Sequence, residues 1–390
     1  MRSEYVLSPV LFLITFFSVY SLLFACGYLI LHWEPLSLLA LLSFTLFIFG
    51  VIFGTYTGKK INLNISIRKK VISNRFIFYA WLFLTFCVAI SLYLMLKRYG
   101  SLDYIISYAF VIREQVIGGD GFIPFYLSYI NSLNQAFFAL SLNIYKRNKS
   151  KKFCVLFFIN IVFCDLLTFG RVGTLFALLV LVGFLFFNKG FKIINLKTMM
   201  FGFIAFFVLN LSRIIRGGES GFSSSVNGLV PYLKVNIPEW GYGLLSNYIY
   251  FFSSPLAFSK YLENHEEFQS SFGQRLFTPL YNIFLRLLGE NRINTIDPFV
   301  NVPYKTNIYT VLRDIFADVG VWGVLPSAIL FGLIFGMLYN SKSIFNQSLF
   351  LMFIGCVFFF PLYNALSFGM FLISMLFLFF MSILFRCDVK

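Results

Sequence analysis

Apolar runs of roughly 17–25 residues recur along the 390-residue chain. Each is long enough for an α-helix to cross a hydrocarbon core ~30 Å thick at ~1.5 Å of rise per residue. Windows between polar breaks place candidate spans near 9–32, 35–57, 76–96, 122–145, 153–169, 172–188, 198–212, 320–339, 348–366 and 367–385. The expectation is an all-α polytopic integral membrane protein with about ten transmembrane helices, one membrane domain over 1–390. Only Gly170 and Arg171 separate the fifth and sixth windows, which leaves a merged or re-entrant element open. Composition excludes a soluble fold: 59% of residues are hydrophobic and 12% charged, against roughly 45–50% and ~25% in soluble domains. The first apolar run is too long for the hydrophobic part of a signal peptide and lacks a small-residue exit, so it reads as a retained span.

The formal net charge of +15 matters through its placement. The loop 58–75 carries Lys59, Lys60, Arg68, Lys69, Lys70 and Arg75, and 146–152 carries Lys146, Arg147, Lys149, Lys151 and Lys152, with no acid in either. The positive-inside rule places both loops in the cytoplasm. Ten spans then bring 189–197, Lys342 and the C-terminal tail to that side, so both termini are expected to be cytoplasmic. With the basic residues segregated into loops, nucleic acid is not an expected partner. The opposite face holds a first periplasmic loop, 97–121, and a large periplasmic loop, 213–319, between spans 7 and 8. The large loop has nine basic and nine acidic residues, and long loops translocate largely regardless of charge. Its stretch 241–262 is apolar, Tyr-rich and broken by Pro255, which suits an interfacial helix or a lid, with a re-entrant segment as the alternative. Six cysteines without CxxC spacing read as small core residues or lie in the tail, and with only His32 and His265 present a His/Cys zinc site has too few ligands. No metal or cofactor is expected.

Candidate chemistry lies with the cations outside the cytoplasmic loops. Arg171, in DLLTFGRVGT (165–174), opens a span where the helix dipole disfavours a cation. An anion held by the helix N-terminus and the guanidinium would relieve that conflict; pairing with Asp165 or snorkelling would also do so. Arg213 and Arg216 end the seventh window on one helix face, as an anion clamp or a headgroup anchor. Arg113 belongs to an amphipathic segment of the first loop, as a ligand clamp or its polar rim. In TNIYTVLRDIFADVGVWGVLPSAILFGLIFGMLY (306–339), helical spacing sets Tyr309 and Arg313 one turn apart, with Asp314 and Asp318 on the neighbouring face. Gly320, Gly323 and Trp322 then mark where the chain meets the membrane. Glu239, His265, Glu266 and Asp297 are further acid or base candidates in the large loop.

The segment 306–339 resembles the one that follows the large periplasmic loop in Wzy-type oligosaccharide repeat-unit polymerases, the O-antigen and capsule polymerases. The likeness rests on Asn307, Tyr309, Thr310, Asp318, Gly320, Gly323, Gly332, Gly336 and Tyr339, on Arg171 with Gly173, on Arg113, and on the layout along nearly the whole chain. The resemblance implies block transfer of an oligosaccharide from one undecaprenyl pyrophosphate to the non-reducing end of a second lipid-linked repeat unit, in the bacterial inner membrane. It implies undecaprenyl-pyrophosphate-linked oligosaccharides and membrane lipid as partners, with a chain-length regulator as a further one. Arg113, Arg171, Arg213, Arg216, Arg313, Asn307 and Tyr309 would bind substrate and pyrophosphate. Asp318, Asp314 or Glu239 would orient or deprotonate the acceptor hydroxyl. Tyr242, Tyr248, Tyr250 and Trp240 would stack on sugars. A lipid-linked-oligosaccharide flippase and an O-antigen ligase are the alternatives. Mid-span regions almost free of ionisable groups argue against the flippase, and the lack of the ligase's loop pattern around His265 argues against the ligase.

Overall fold

The computed structural model describes residues 7–61, 72–118, 121–148, 150–193, 230–238, 242–264, 271, 273–290, 293, 299–302 and 305–385. The described helices are α1 (Pro9–Ile30), α2 (Leu38–Gly58), α3 (Asn74–Tyr99), α4 (Leu102–Ser107), α5 (Ala109–Gly118), α6 (Phe125–Asn148), α7 (Lys152–Leu167), α8 (Val172–Lys189), α9 (Tyr242–Phe252), α10 (Ser254–Asn264), α11 (Thr278–Leu287), α12 (Val311–Tyr339), α13 (Ile344–Phe359) and α14 (Gly369–Phe385). A small hairpin, β1 (Val300–Asn301) with β2 (Lys305–Thr306), is antiparallel. Five helices, α1, α2, α3, α8 and α12, are long and apolar enough to cross a membrane, and α13 and α14 are shorter apolar helices. Their outward faces are lipid-like: Leu22, Leu38, Phe86 and Trp322 are all exposed. The candidate span 198–212 lies outside the described residues.

Two contacts organise the bundle. In the first, α2 and α12 lie parallel with their backbones touching. A Cβ on Gly50 would come within 2.7 Å of Ala328 and one on Gly332 within 2.8 Å of the Thr55 amide; at Gly54, Gly58 and Gly336 it would overlap backbone of the facing helix. Small residues at every fourth position on both helices are what an apolar solvent requires, since only close van der Waals contact distinguishes a neighbouring helix from lipid. The second is α6, the most polar of the long helices, which lies in the middle. Asn131, Asn134, Gln135, Ser141 and Asn143 are buried there. Asn131 donates to the Ser91 hydroxyl (2.9 Å), Asn160 donates to Asn134 (3.1 Å) and to Thr85 (3.0 Å), and Asn143 donates to Ser348 (3.0 Å). These bonds satisfy polar groups that hydrocarbon would leave bare.

The contacts also sort the loops by end. The Leu7 amide donates to the Phe187 carbonyl, Tyr339 donates to the Leu7 carbonyl, and Lys59 donates to Ser8. The start of α1, the ends of α2, α8 and α12, and Lys59, Lys60 and Lys189 therefore share one end. The turns 168–171 and 360–368 lie at the other, with α5.

The structure departs from the sequence expectations at several boundaries. Windows 153–169 and 172–188 are two separate helices, α7 and α8, which removes the merged element. The break between the last two windows falls at 360–368, not at 366, because Pro361 cannot continue α13. The segment 241–262 is two short helices divided at Ser253. The helix that carries Arg313 begins at Val311, with Tyr309 in the extended chain before it. That helix is kinked at Gly320, whose φ of 69° suits glycine.

The α2–α12 contact yields a direct test. Gly54→Leu or Gly332→Leu should lower stability by about 1–3 kcal/mol, the usual range for overpacking, read as a lower thermal midpoint in detergent. Trp322→Phe, at a lipid-facing position, should leave the midpoint unchanged.

Candidate functional site

The turn between α7 and α8 is built around Asp165. Its carboxylate accepts the Gly173 amide (3.3 Å) and the Thr174 amide (2.5 Å), two of the donors that the first turn of α8 would otherwise leave unpaired. This is why Gly173 is needed two residues after Arg171: a Cβ there would sit 3.0 Å from Asp165 Oδ1 and 3.2 Å from Gln135 Nε2. Gln135 closes the arrangement by donating to the Gly173 carbonyl (2.8 Å). Phe169 takes a positive φ of 48° to complete the turn, a conformation that costs a non-glycine residue energy and is found at sites that need a specific backbone shape.

Asp165 is occupied by the helix N-terminus, and among the described residues Arg171 makes no ion pair. The Arg171 guanidinium stacks 4.7 Å from the centre of the Tyr250 ring, and the Tyr250 hydroxyl is 3.3 Å from that of Tyr363. Arg113 reaches the same place from α5. Its guanidinium donates to the Thr168 carbonyl (3.1 Å), lies near Arg171, Tyr250 and Tyr363, and keeps a buried Nε without a partner. Burial pushes the pKa of the Arg113 group down from its ordinary value; Asp165 opposes that effect and Arg171 adds to it. Arginine remains charged through such shifts. The outcome is two adjacent guanidiniums, no carboxylate within ion-pair distance of either among the described residues, and two phenols at their side. Beside them is a cleft of about 80 Å³ lined by Ser128, Asn131, Gln135, Asp165 and Thr168 among others.

The second group forms where α12 begins. Arg313 pairs with Asp314 at 3.1 Å and lies over the rings of Tyr261 (5.3 Å) and Tyr309 (5.4 Å). Asp314 also accepts from Asn364 (3.0 Å), whose amide is in turn 3.1 Å from the Leu276 carbonyl. Asp318 is fully buried; it accepts the Ser271 hydroxyl and the amides of Arg275 (3.1 Å) and Leu276 (2.8 Å). It thereby ties the turn before α11 to α12. Asn307 is half-buried in the extended chain between β2 and α12.

The turn 360–368 joins the two groups. Tyr363 meets Tyr250 under Arg171, while the next residue, Asn364, holds Asp314. The Phe360 carbonyl accepts the Val311 amide at 2.9 Å, and the Pro361 carbonyl accepts the Ser254 hydroxyl. Of the residues singled out from sequence, Arg113 and Arg171 share one group, and Arg313, Asp314, Tyr309 and Asp318 the other. Arg213, Arg216 and Glu239 lie outside the described residues, as do Trp240, His265, Glu266 and Asp297. Tyr248 packs on Trp33 (6.1 Å between rings) and donates its hydroxyl to the Leu23 carbonyl. Sequence reasoning missed Tyr363, Asn364 and Gln135. The PLYN run (361–364) inside an apolar stretch was the available signal.

No protein-family model, no curated protein and no solved structure matches the chain.

Asn364→Ala leaves the buried Asp314 carboxylate and the Leu276 carbonyl short of a donor. The expected loss is about 1.5–3 kcal/mol, the range for hydrogen bonds to charged groups, measured as a lower unfolding midpoint. Asp165→Ala should lose about 1–2 kcal/mol as a removed helix cap.

Proposed function

We propose that the chain is a membrane glycosyltransferase that polymerises undecaprenyl-pyrophosphate-linked oligosaccharide repeat units by block transfer, into O-antigen or a similar surface polysaccharide. The observation that carries this reading is the pair Arg113 and Arg171: two neighbouring guanidiniums at one end of an apolar bundle, packed on phenols and without a carboxylate at ion-pair distance among the described residues. A group that places two arginines together and uses the adjacent acid elsewhere is suited to a multiply charged anion. Because the end opposite the basic loops holds this pair, a pyrophosphate at the headgroup plane would meet it while the lipid tail stays among the helices.

In this orientation the lysine-rich end faces the cytoplasm, the window 198–212 is read from the sequence as the seventh of ten spans, both termini are cytoplasmic, and the membrane is the bacterial inner one. The acceptor hydroxyl attacks the anomeric carbon of the donor. The bond from that carbon to the pyrophosphate oxygen breaks, and the hydroxyl proton passes to a carboxylate. Arg113 and Arg171 stabilise the charge that develops on the departing pyrophosphate. Asp314, held by Arg313 and Asn364 at the junction of the two groups, is the described carboxylate best placed to take the proton. Asp318 acts at a distance, by fixing the turn before α11.

Deletion of the gene in its own bacterium should collapse the surface polysaccharide ladder to a single repeat unit, and the wild-type gene should restore it. An Arg113→Gln/Arg171→Gln variant at normal protein level should leave the ladder collapsed. Full restoration by that variant would remove the arginines from the mechanism, and an unchanged ladder in the deletion strain would remove the polymerase reading.

A further inference from the structure

A cavity of about 340 Å³ lies apart from both groups, lined by His32, Glu34, Tyr232, Lys260, Glu263 and Asn301 among others. Its walls come from four parts of the chain: the connection between α1 and α2, the segment 230–234, helix α10 and the β1–β2 hairpin. The first two are joined in backbone register. Leu31 bridges Leu233, the His32 amide donates to the Tyr232 carbonyl (2.9 Å) and the Lys234 amide to the Ile30 carbonyl (2.9 Å). The α1–α2 connection is fixed to α10 where the Ser37 amide donates to the Ser259 hydroxyl (2.8 Å).

Helix α10 has two faces with different work. Leu256, Ser259, Lys260 and Glu263 recur at the i, i+3, i+4 and i+7 spacing of one helical stripe and line the cavity. On other sides Tyr261 lies beneath Arg313 and Phe258 packs on Phe44 and Phe316. The helix is therefore a partition between the Arg313 group and the cavity.

The lining selects its ligand by charge and by hydrogen-bonding type. Lys260 is held between Glu34 (2.8 Å) and Glu263 (2.9 Å). Glu34 and then Glu263 raise the pKa of its ammonium above its ordinary value. The trio carries a net charge of −1, so a phosphate or other anion is repelled. Carboxylate oxygens retain acceptor capacity beyond one ammonium contact, and an ammonium has three donors. Asn301 and Tyr232, residues that carry both donors and acceptors, also line the cavity, with Pro35, Leu256 and Val302 as its apolar members. Closely spaced acceptors and donors beside an apolar patch match a sugar ring, with hydroxyls on its rim and C–H groups on its faces. The volume is at the lower end of small-molecule sites.

We propose that this cavity binds a neutral, hydroxyl-rich saccharide segment, separated by α10 from the Arg313 group. The identity of that segment as part of a growing or acceptor glycan rests on the functional reading above.

The test uses the full-length protein in lipid nanodiscs, with repeat-unit oligosaccharides released by hydrolysis from the host's own surface polysaccharide as the probe, and saturation-transfer NMR as the readout. The Glu34→Gln/Glu263→Gln variant keeps the shape and removes the acceptor charge; Glu263→Trp fills the cavity from its half-exposed rim. Each should weaken binding about tenfold, the equivalent of one or two lost hydrogen bonds, and each should shorten the polysaccharide ladder in the complemented deletion strain. Wild-type binding and a wild-type ladder in both variants would overturn the inference while leaving the polymerase reading intact. A deletion strain with an unchanged ladder would instead overturn the functional reading, and the glycan assignment of the cavity with it.

Discussion

The contact between the backbones of α2 and α12 is the constraint on which the rest of the structure depends. In hydrocarbon there is no hydrophobic gain from bringing two helices together, so close packing, aided by hydrogen bonds, must hold them. Gly50, Gly54 and Gly58 against Ala328, Gly332 and Gly336 provide that packing, and they bind an early part of the chain to a late one. At the lysine-rich end, Asn340 donates to the Lys59 carbonyl and fixes the register. At the other end the same alignment sets where α12 starts, and hence where Arg313, Asp314 and Asp318 are presented. The kink at Gly320 separates that polar approach from the apolar length that follows.

Around this pair, the polar side chains are arranged so that few are left without partners. The side-chain amide N–H groups of Asn131, Asn134 and Asn143 find acceptors within the bundle, though Oδ1 of Asn131 and of Asn143 has no donor; Asp165 caps α8, and Asp318 holds the turn before α11. Against that background Arg113 and Arg171 stand out. An arginine in low-dielectric surroundings gains from a nearby carboxylate, yet the nearest acid is committed to backbone amides. The guanidiniums rest on tyrosine rings and a carbonyl instead, a weaker arrangement that a bound anion would improve. The turn 360–368 then couples this pair to the Arg313–Asp314 pair through adjacent residues, Tyr363 and Asn364.

Much of the fold was legible in the sequence, because helix length in a bilayer is a matter of counting apolar residues, and seven of the nine windows that fall among the described residues have a counterpart helix with bounds within about three residues. The polar turn at 360–368 was harder to read: Phe, Leu and Ala on both sides of Pro361 keep the hydropathy high, and the turn is held by tertiary contacts from α9, α10 and α12. The candidate site was legible in its charged members. Arg113 and Arg171 are conspicuous as cations away from the basic loops. Their mutual proximity was not legible, since it depends on how α5 folds over the α7–α8 turn. Nor did the spacing reveal that Asp165 would serve the helix N-terminus, where it accepts the Gly173 and Thr174 amides.

The most direct test of this account is calorimetric titration of the purified protein in nanodiscs with farnesyl pyrophosphate, a short lipid pyrophosphate, against an Arg113→Gln/Arg171→Gln variant of equal thermal stability. The account predicts saturable binding by the wild type that weakens about tenfold or more in the variant, the loss expected when a charge-assisted contact is removed. Equal affinity in the two proteins would contradict it.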